Sequence, residues 1–188
     1  MLTVVVGVGA LGSHVAMLLR NTCDLKVIDF DKVEQKNCLS QFYSKPSVGK
    51  NKALALAQQM QFFWGTRLGT VPHRLTKDNT DQLLSNADLV LDCLDNAEAR
   101  QLVQSYARRT GTPCLHGALA ADGAFGRVIW SSSFTIDEEV PGGVTCEDGA
   151  HLPFIMIVAS YLAYAAQKFL RTGSQISFHI HPVGVQRL

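Results

Sequence analysis

The sequence predicts an α/β fold: an open, mainly parallel sheet with helices on both faces and short strands at its C-terminal end. Three observations predict it. A strand-like run, Leu2–Val6, leads into Gly7-x-Gly9-x-x-Gly12, and an apolar helical pattern (Leu11, Val15, Leu18, Leu19) leads out of it. A second strand-like run, Leu25–Ile28, ends on Asp29. Ala87–Cys93 is nearly continuously apolar, as expected of a central parallel strand covered on both faces. Strands alternating with helices imply parallel pairing through helical crossovers, and ligands in such sheets bind beyond the carboxyl ends of the strands.

The elements follow in order. Leu2–Val6, the glycines and Leu25–Ile28 form a βαβ unit of Rossmann-like type. Such a unit places a helix N-terminus for phosphate and Asp29 for a ribose diol. Gly7 permits the tight turn, Gly9 lets backbone N–H groups approach phosphate, and Gly12 lets the helix sit close to the strand. Asp31–Gly49 is polar, with turn chemistry at Lys45-Pro46-Ser47. Helical spacing returns over Lys50–Phe63, Leu68–Arg74 reads as a strand, and Asp78–Leu84 as a short helix. After the central strand, Asn96–Arg109 reads as a helix, and Pro113–Ala120 and Gly126–Ser131 as strands. Ser132–Ala150 is rich in Ser, Pro, Gly, Asp and Glu, has no period, and is the one long candidate loop. Pro153–Leu170 is the most apolar helix, and Ser174–Leu188 supplies one or two short strands. No repeat, low-complexity tract or linker interrupts the chain, so residues 1–188 read as a single nucleotide-binding domain.

Bulk properties narrow the function. A chain of 188 residues, 47% hydrophobic, suits one domain with a full core. A net charge of +1 gives no electrostatic case for nucleic acid or an acidic membrane. No uninterrupted apolar stretch is expected to span a bilayer. Phe154–Ala166 comes nearest, but its length and its Ser160, Tyr161 and Tyr164 suit a buried helix. The chain opens directly on a strand, without the order of a signal peptide. The five cysteines (Cys23, Cys38, Cys93, Cys114 and Cys146) are odd in number and scattered, which implies reduced thiols and a cytoplasmic location. The absence of a C-x-x-C pair argues against a structural zinc of the ribbon kind.

The residues after the second strand say more. They run Asp29-Phe-Asp31-Lys-Val33-Glu-Gln-Lys-Asn37, then Gln41, then Gly49-Lys-Asn-Lys52-Ala53. Later come Asp92-Cys93-Leu94-Asp95-Asn96, and Cys146-Glu-Asp-Gly149 before the apolar helix. With these five ordered blocks, the sequence resembles the adenylating domain of the ThiF/MoeB family, bacterial relatives of ubiquitin-activating enzymes, over nearly its whole length. Val48–Trp64, with its Phe62-Phe63-Trp64-Gly65 end, is most similar to ThiF-family proteins carried on bacterial mobile elements.

The resemblance implies an ATP-dependent adenylyltransferase. The C-terminal glycine carboxylate of a small ubiquitin-like or sulfur-carrier protein, ending in Gly-Gly, attacks the α-phosphate, giving an acyl-adenylate and pyrophosphate. That chemistry needs phosphate charge neutralised and the carboxylate held in line. By the same resemblance, Asp29 binds the ribose hydroxyls, Asn37 and Lys52 contact phosphates, and Asp95 holds Mg²⁺ together with phosphate oxygens. Asn96 helps shape the adenine and phosphate pocket. Gly7, Gly9, Gly12, Asp31 and Gln41 complete the nucleotide-binding set, and Lys52, Asp95 and Cys146 the catalytic set. The expected cofactors are ATP and Mg²⁺, with no zinc. The expected assembly is a homodimer or heterodimer, with no nucleic acid and no membrane as partner.

Each residue also has a plainer reading. Asp29 could end a strand, Asp31 could form an Asx-type turn, and Lys52 could be a solvated helix lysine. Asp95-Asn96 could cap a helix, a role compatible with metal binding. Asp92 is expected to orient its loop rather than touch ligand. Cys146 could carry thioester or persulfide chemistry after adenylation, although some relatives have this cysteine and do not need it. Cys93 and Cys114 read as buried hydrophobes. His116 could contact substrate or be structural. His179-x-His181 shares one strand face without an evident third metal ligand.

Departures from the family pattern keep other functions in view. Ser40 stands where the family carries an arginine on the phosphates, and serine supplies no charge. The family's N-terminal segment, whose arginine reaches the partner subunit's ATP, is not seen before the first strand. Arg20, Arg100, Lys45 and Lys50 are candidates to compensate. The alternative is therefore a non-catalytic nucleotide- or carrier-binding module acting with a partner subunit. An NAD(P)-dependent oxidoreductase would explain the glycines and Asp29, but leaves Asp31 and the later blocks without a purpose.

Overall fold

The computed structural model describes residues 1–120, 122–136 and 149–188. Their strands form one sheet in the order β3-β2-β1-β4-β5-β6-β7-β8. Here β1 is Leu2–Val6, β2 Asp24–Ile28, β3 Gly69–Val71, β4 Leu89–Asp92 and β5 Cys114–Leu119, and these five pair in parallel. Strands β6 (Gly126–Trp130), β7 (Phe178–His181) and β8 (Gly184–Arg187) extend the β5 side by antiparallel pairing. The sheet order reverses between β1 and β4, so the carboxyl ends of these two strands flank the crevice where ligands of such sheets bind.

Helices cover both faces, as the sequence predicts. Helices α1 (Ala10–Leu19), α3 (Lys52–Trp64) and α6 (Leu152–Thr172) lie on one face; α2 is the single turn Asn37–Ser40. Their apolar sides meet Val5, Val27, Leu89, Leu91, Leu115, Phe178 and Ile180 in the larger core. Helices α4 (Thr80–Leu84) and α5 (Ala97–Thr110) cover the other face, where Val4, Val6, Ile28, Val90 and Cys114 point. The alternation of Val4, Val5 and Val6 between the two cores is the two-residue period of a strand buried on both sides.

Where boundaries differ from expectation, local chemistry explains it. Strand β3 stops at Val71, because Pro72 has no N–H for the ladder. Helix α3 begins at Lys52 rather than Lys50, because Asn51 caps it, its Oδ1 accepting from the Leu54 N–H at 3.1 Å. Helix α4 begins at Thr80, while Asn79 Oδ1 takes the Thr76 N–H at 2.8 Å. Helix α6 extends to 21 residues and is, by length and composition, apolar enough to cross a membrane. Its apolar side is nonetheless committed to the sheet through Phe154, Ile155, Val158, Ala159 and Leu162. At the far end of α3, Phe62, Phe63 and Trp64 are exposed; Phe42 stacks on Trp64 at 5.8 Å and Arg20 lies 4.6 Å over the indole.

The seat of α6 is fixed by two strand glycines. A Cβ on Gly117 would come within 2.6 Å of Leu162 Cδ2, and one on Gly126 would overlap Val158 Cγ2. Gly126→Ala is expected to lower stability by about 1–3 kcal/mol in urea unfolding, through overpacking. Val158→Ala, which removes the opposing methyls, is expected to cost less in the Gly126→Ala background than in the wild type.

Candidate functional site

The site begins where two turns meet. Gly7 leaves β1 with φ +81°, a conformation that a side chain would strain, and its N–H donates to Ile28 O at 2.9 Å. A Cβ at Gly7 would stand 3.0 Å from the Cys93 carbonyl oxygen, and one at Gly12 would overlap the Gly7 carbonyl oxygen. The turn after β1 therefore packs directly on the turn after β4. Gly9 is different: a Cβ there would meet nothing within 4 Å. It is the N-cap of α1, without a side-chain cap and without an acid in the first turn, so the helix start presents N–H groups and positive dipole to an open side. Ser13 Oγ donates to Gly9 O at 2.7 Å and accepts from the Phe42 N–H at 3.0 Å, bracing the turn from behind.

Asp29 ends β2 beside this turn. Its Oδ2 accepts from the Val8 N–H at 2.8 Å and its Oδ1 from the Asp31 N–H at 2.9 Å. Each oxygen keeps lone-pair capacity for a further donor, which is what a ribose diol would offer. Burial pushes the Asp29 carboxyl up, and the Lys52 charge with the two N–H bonds offsets this only in part. Lys52, nine-tenths buried, holds its Nζ 3.6 Å from Asp31 Oδ2, and its own N–H donates to Asp31 O at 2.8 Å. It is not a solvated helix lysine. Asn51 Nδ2 donates to Asp29 O at 2.9 Å and Asp31 O at 3.1 Å, so the residue that caps α3 also ties the two aspartates' backbone to the lysine. The buried Tyr43 hydroxyl donates to Val8 O at 2.7 Å, with Lys52 O 3.3 Å away.

Across the crevice, Asp92 is fully buried. Its Oδ2 meets Arg100 Nη1 at 3.2 Å and His116 Nδ1 at 2.7 Å, and its Oδ1 accepts from the Leu94 N–H at 3.0 Å. Arg100 also donates to Leu94 O, and to Gly117 O at 2.8 Å. His116 stacks on Phe134 with ring centroids 4.1 Å apart. Burial alone would raise the Asp92 carboxyl, but the Arg100 charge and the His116 hydrogen bond more than offset it and hold it below the ordinary value. Asp92 thus shapes the turn that displays Asp95, as the sequence implies. His116 is structural, and Arg100 is not a spare cation for the site. Asp95 is exposed at the mouth of this turn, and Asn96 caps α5, its Oδ1 accepting from the Ala99 N–H at 2.9 Å.

The segment around α2 is more inward than expected. Asn37 is buried, with its Oδ1 accepting from the Glu34 N–H at 2.8 Å. Ser40 is 1% exposed, and its carbonyl pairs with His14 Nε2 at 3.0 Å. Ser40 Oγ, His14 Nδ1 and Gln41 Oε1 are buried without partners among the described residues. Of the other candidate cations, Lys50 bonds Gln58 Oε1 at 2.9 Å and Arg20 bonds Met17 O at 2.8 Å. Cys146 and the acidic residues Glu138, Glu139, Glu147 and Asp148 lie outside the described residues. Cys93 and Cys114 are buried, and burial raises both thiols. Sequence reasoning missed Tyr43, Asn51 and Ser13. Asn51, just ahead of an apolar helical run, carries a recognisable cap signal; Tyr43 and Ser13 carry none.

Comparison with known proteins adds lineage to this geometry. The ThiF family model matches residues 2–181. The sulfur carrier protein adenylyltransferase of Thermus thermophilus is 36% identical over 120 residues, covering 62% of this chain and 44% of that protein. The sulfur carrier protein ThiS adenylyltransferase of Bacillus subtilis is 31% identical over 186 residues, covering 92% and 54%. The chain thus spans about half the length of these curated relatives. In fold, it is similar to Escherichia coli MccB crystallised with ATP, with TM-score 0.78 and 16% identity over 99% of this chain and 62% of that one. It is also similar to the E. coli tRNA N6-threonylcarbamoyladenosine dehydratase TcdA, with TM-score 0.72 and 20% identity over 92% and 86%.

The buried Asp92 network sets a pH dependence. A carboxyl whose folded pKa lies below its unfolded value, about 3.9, stabilises the fold above that value and loses the contribution as pH falls through the folded one. Asp92→Asn is expected to cost about 3–5 kcal/mol at pH 7, because it leaves Arg100 buried without its counter-charge. The gap from wild type should narrow in urea unfolding below about pH 4.

Proposed function

The chain belongs to the ThiF family, and from that premise we propose that it activates the C-terminal glycine carboxylate of a small ubiquitin-like or sulfur-carrier protein with ATP. The observation that carries the reading is the junction of Gly7–Gly12, Asp29, Asp31 and Lys52 on one side of the crevice, with Asp95 displayed on the other. In the proposed reaction, a carboxylate oxygen bonds to the α-phosphorus as the bond from that phosphorus to the β-bridging oxygen breaks. The products are an acyl-adenylate and pyrophosphate, and no general base is required, because the nucleophile is already ionised.

The roles follow the geometry. The helix start at Gly9 receives phosphate, the Asp29 carboxylate takes the ribose hydroxyls, and Lys52 neutralises phosphate charge near Asp31. Asn37 and Gln41 are proposed as further nucleotide contacts, and Asn96 positions Asp95 by opening α5. A Mg²⁺ ion arriving with the nucleotide would add positive charge to the phosphates, with Asp95 as its carboxylate ligand. Among the described residues no three His, Cys, Asp or Glu side chains gather as a metal set. Cys146, three residues before Gly149, is proposed as the acceptor of the activated acyl group, its thiolate attacking the acyl carbon to form a thioester as the bond to the adenylate oxygen breaks and AMP leaves. A cytoplasmic location and a dimeric assembly belong to the same proposal.

One observation favours a second reading. Ser40 is buried and brings no charge, and Arg100 is committed to Asp92, so the site lacks the arginine the family pattern places there. A nucleotide- or carrier-binding module completed by a partner subunit would have this character.

Carrier-dependent ATP–pyrophosphate exchange separates the two. On the leading reading, the purified chain with Mg²⁺ and a Gly-Gly carrier supports exchange, Asp95→Ala abolishes it, and Lys52→Ala lowers it by about 10²-fold, the scale of a lost charge-stabilising donor. Binding of ATP without exchange, restored by a partner subunit, would select the second reading instead.

A further inference from the structure

We propose that Tyr43 is a positioning residue that aims the Gly9 N–H at the nucleotide phosphates and fixes its spacing from Lys52; this rests on reading Gly7–Gly12 as a phosphate turn. Val8 sits between two glycines, and nothing in its immediate neighbours limits rotation of its peptide groups. Two long-range bonds do. The Val8 N–H donates to Asp29 Oδ2 at 2.8 Å, and the Val8 carbonyl accepts from the Tyr43 hydroxyl at 2.7 Å.

A trans peptide makes each of these bonds directional. Its C=O and N–H point opposite ways in one plane. Pinning the Val8 N–H toward Asp29 therefore turns the Gly7 carbonyl the other way, onto Gly12, where a Cβ would overlap it. Pinning the Val8 carbonyl toward Tyr43 turns the Gly9 N–H away from Tyr43. Gly9 is the position in the turn that opens onto empty space. Asp29 sets one peptide of the turn and Tyr43 sets the next.

Tyr43 also reaches the other half of the site. Its hydroxyl lies 3.3 Å from the carbonyl of Lys52, the first residue of α3, so the glycine turn and the lysine share one anchor. The tyrosine is itself held, with its N–H donating to Gln41 O at 2.7 Å and its side chain buried in the core of the α1, α3 and α6 face. Burial, with the carboxylates of Asp29 and Asp31, keeps the phenol well above its ordinary pKa, so it remains a donor throughout the working range.

Tyr43→Phe removes the hydroxyl and keeps the ring. The decisive readout is the ratio of ATP to adenosine affinity by calorimetry, because the hydroxyl aims phosphate donors and not base or ribose contacts. ATP binding should weaken about tenfold, the order expected when a buried carbonyl loses its donor, with adenosine binding unchanged. Tyr106→Phe is the matched control. Its hydroxyl donates to Leu84 O at 3.0 Å on the opposite face of the sheet, so it loses the same kind of bond and should leave the ratio alone. A Tyr43→Phe chain that keeps the wild-type ratio overturns the proposal, as does a Tyr106→Phe chain that lowers it equally. A wild-type chain that binds adenosine as tightly as ATP overturns the phosphate-turn reading itself, and is told apart because it fails before any substitution is made.

Discussion

The structure depends on a place where no Cβ fits. Gly7 and Gly12 bring the start of α1 against the end of β1, and Gly7 in turn lies against the Cys93 carbonyl in the turn after β4. The two turns at the reversal of strand order are therefore in backbone contact. Once that contact is made, other features have little freedom. Helix α1 must rise from the carboxyl end of β1, its open N-terminus must face the crevice at Gly9, and the turn carrying Leu94 and Asp95 must stand beside it. The glycines do not create a site by flexibility; they remove the volume that would hold its two halves apart.

Each half is then stiffened by a different kind of bond. On the β2 side, backbone groups are tied by side chains from distant segments: Asp29 and Tyr43 on Val8, and Asn51 on the carbonyls of Asp29 and Asp31. On the β4 side, a buried charge network does the same work, with Asp92 between Arg100 and His116. Buried ion pairs contribute little net stability, because desolvation offsets much of the attraction. This one supplies geometry, since Arg100 also gathers the carbonyls of Leu94, in the turn after β4, and Gly117, within β5. The polar side chains behind the crevice are thus mostly spent on backbone, which leaves the exposed Asp95, the spare lone pairs of Asp29, and the buried Lys52 paired with Asp31.

How much of this was legible in the sequence follows from the range of each signal. The glycine turn, Asp29 and the Asn96 cap are local patterns whose meaning is set within a few residues, and they stand where the sequence placed them. The continuous apolar run at Ala87–Cys93 announced a strand buried on both sides. Strand β3 was overlong in prospect because the run was read on through Pro72 to Arg74, although Pro72 has no N–H for the ladder and the residues after it are His73 and Arg74. Tyr43 was invisible, because it sits in a polar stretch without period and its meaning lies 35 residues away in Val8. Arg100 misled for the same reason. A cation on a predicted helix looks available until the fold sets it against Asp92, on the strand before it.

The charge that remains decides what the site can do. Beside the glycine turn stand two carboxylates, Asp29 and Asp31, and among the described residues Lys52 is the cation that faces them. Burial lowers the His14 pKa and favours its neutral ring, and Ser40 adds no charge. A polyphosphate entering here meets a helix N-terminus and one ammonium, already shared with Asp31. On the proposed reading, that arrangement orients a nucleotide. Displacement at phosphorus, however, moves negative charge onto the departing pyrophosphate, and rate depends on groups placed to receive it. On the adenylation reading, the further positive charge must come from beyond these side chains: with the nucleotide as Mg²⁺, or from a second chain. On that reading, Ser40 in place of an arginine makes turnover depend on what assembles around the site, while nucleotide recognition stays with the chain itself.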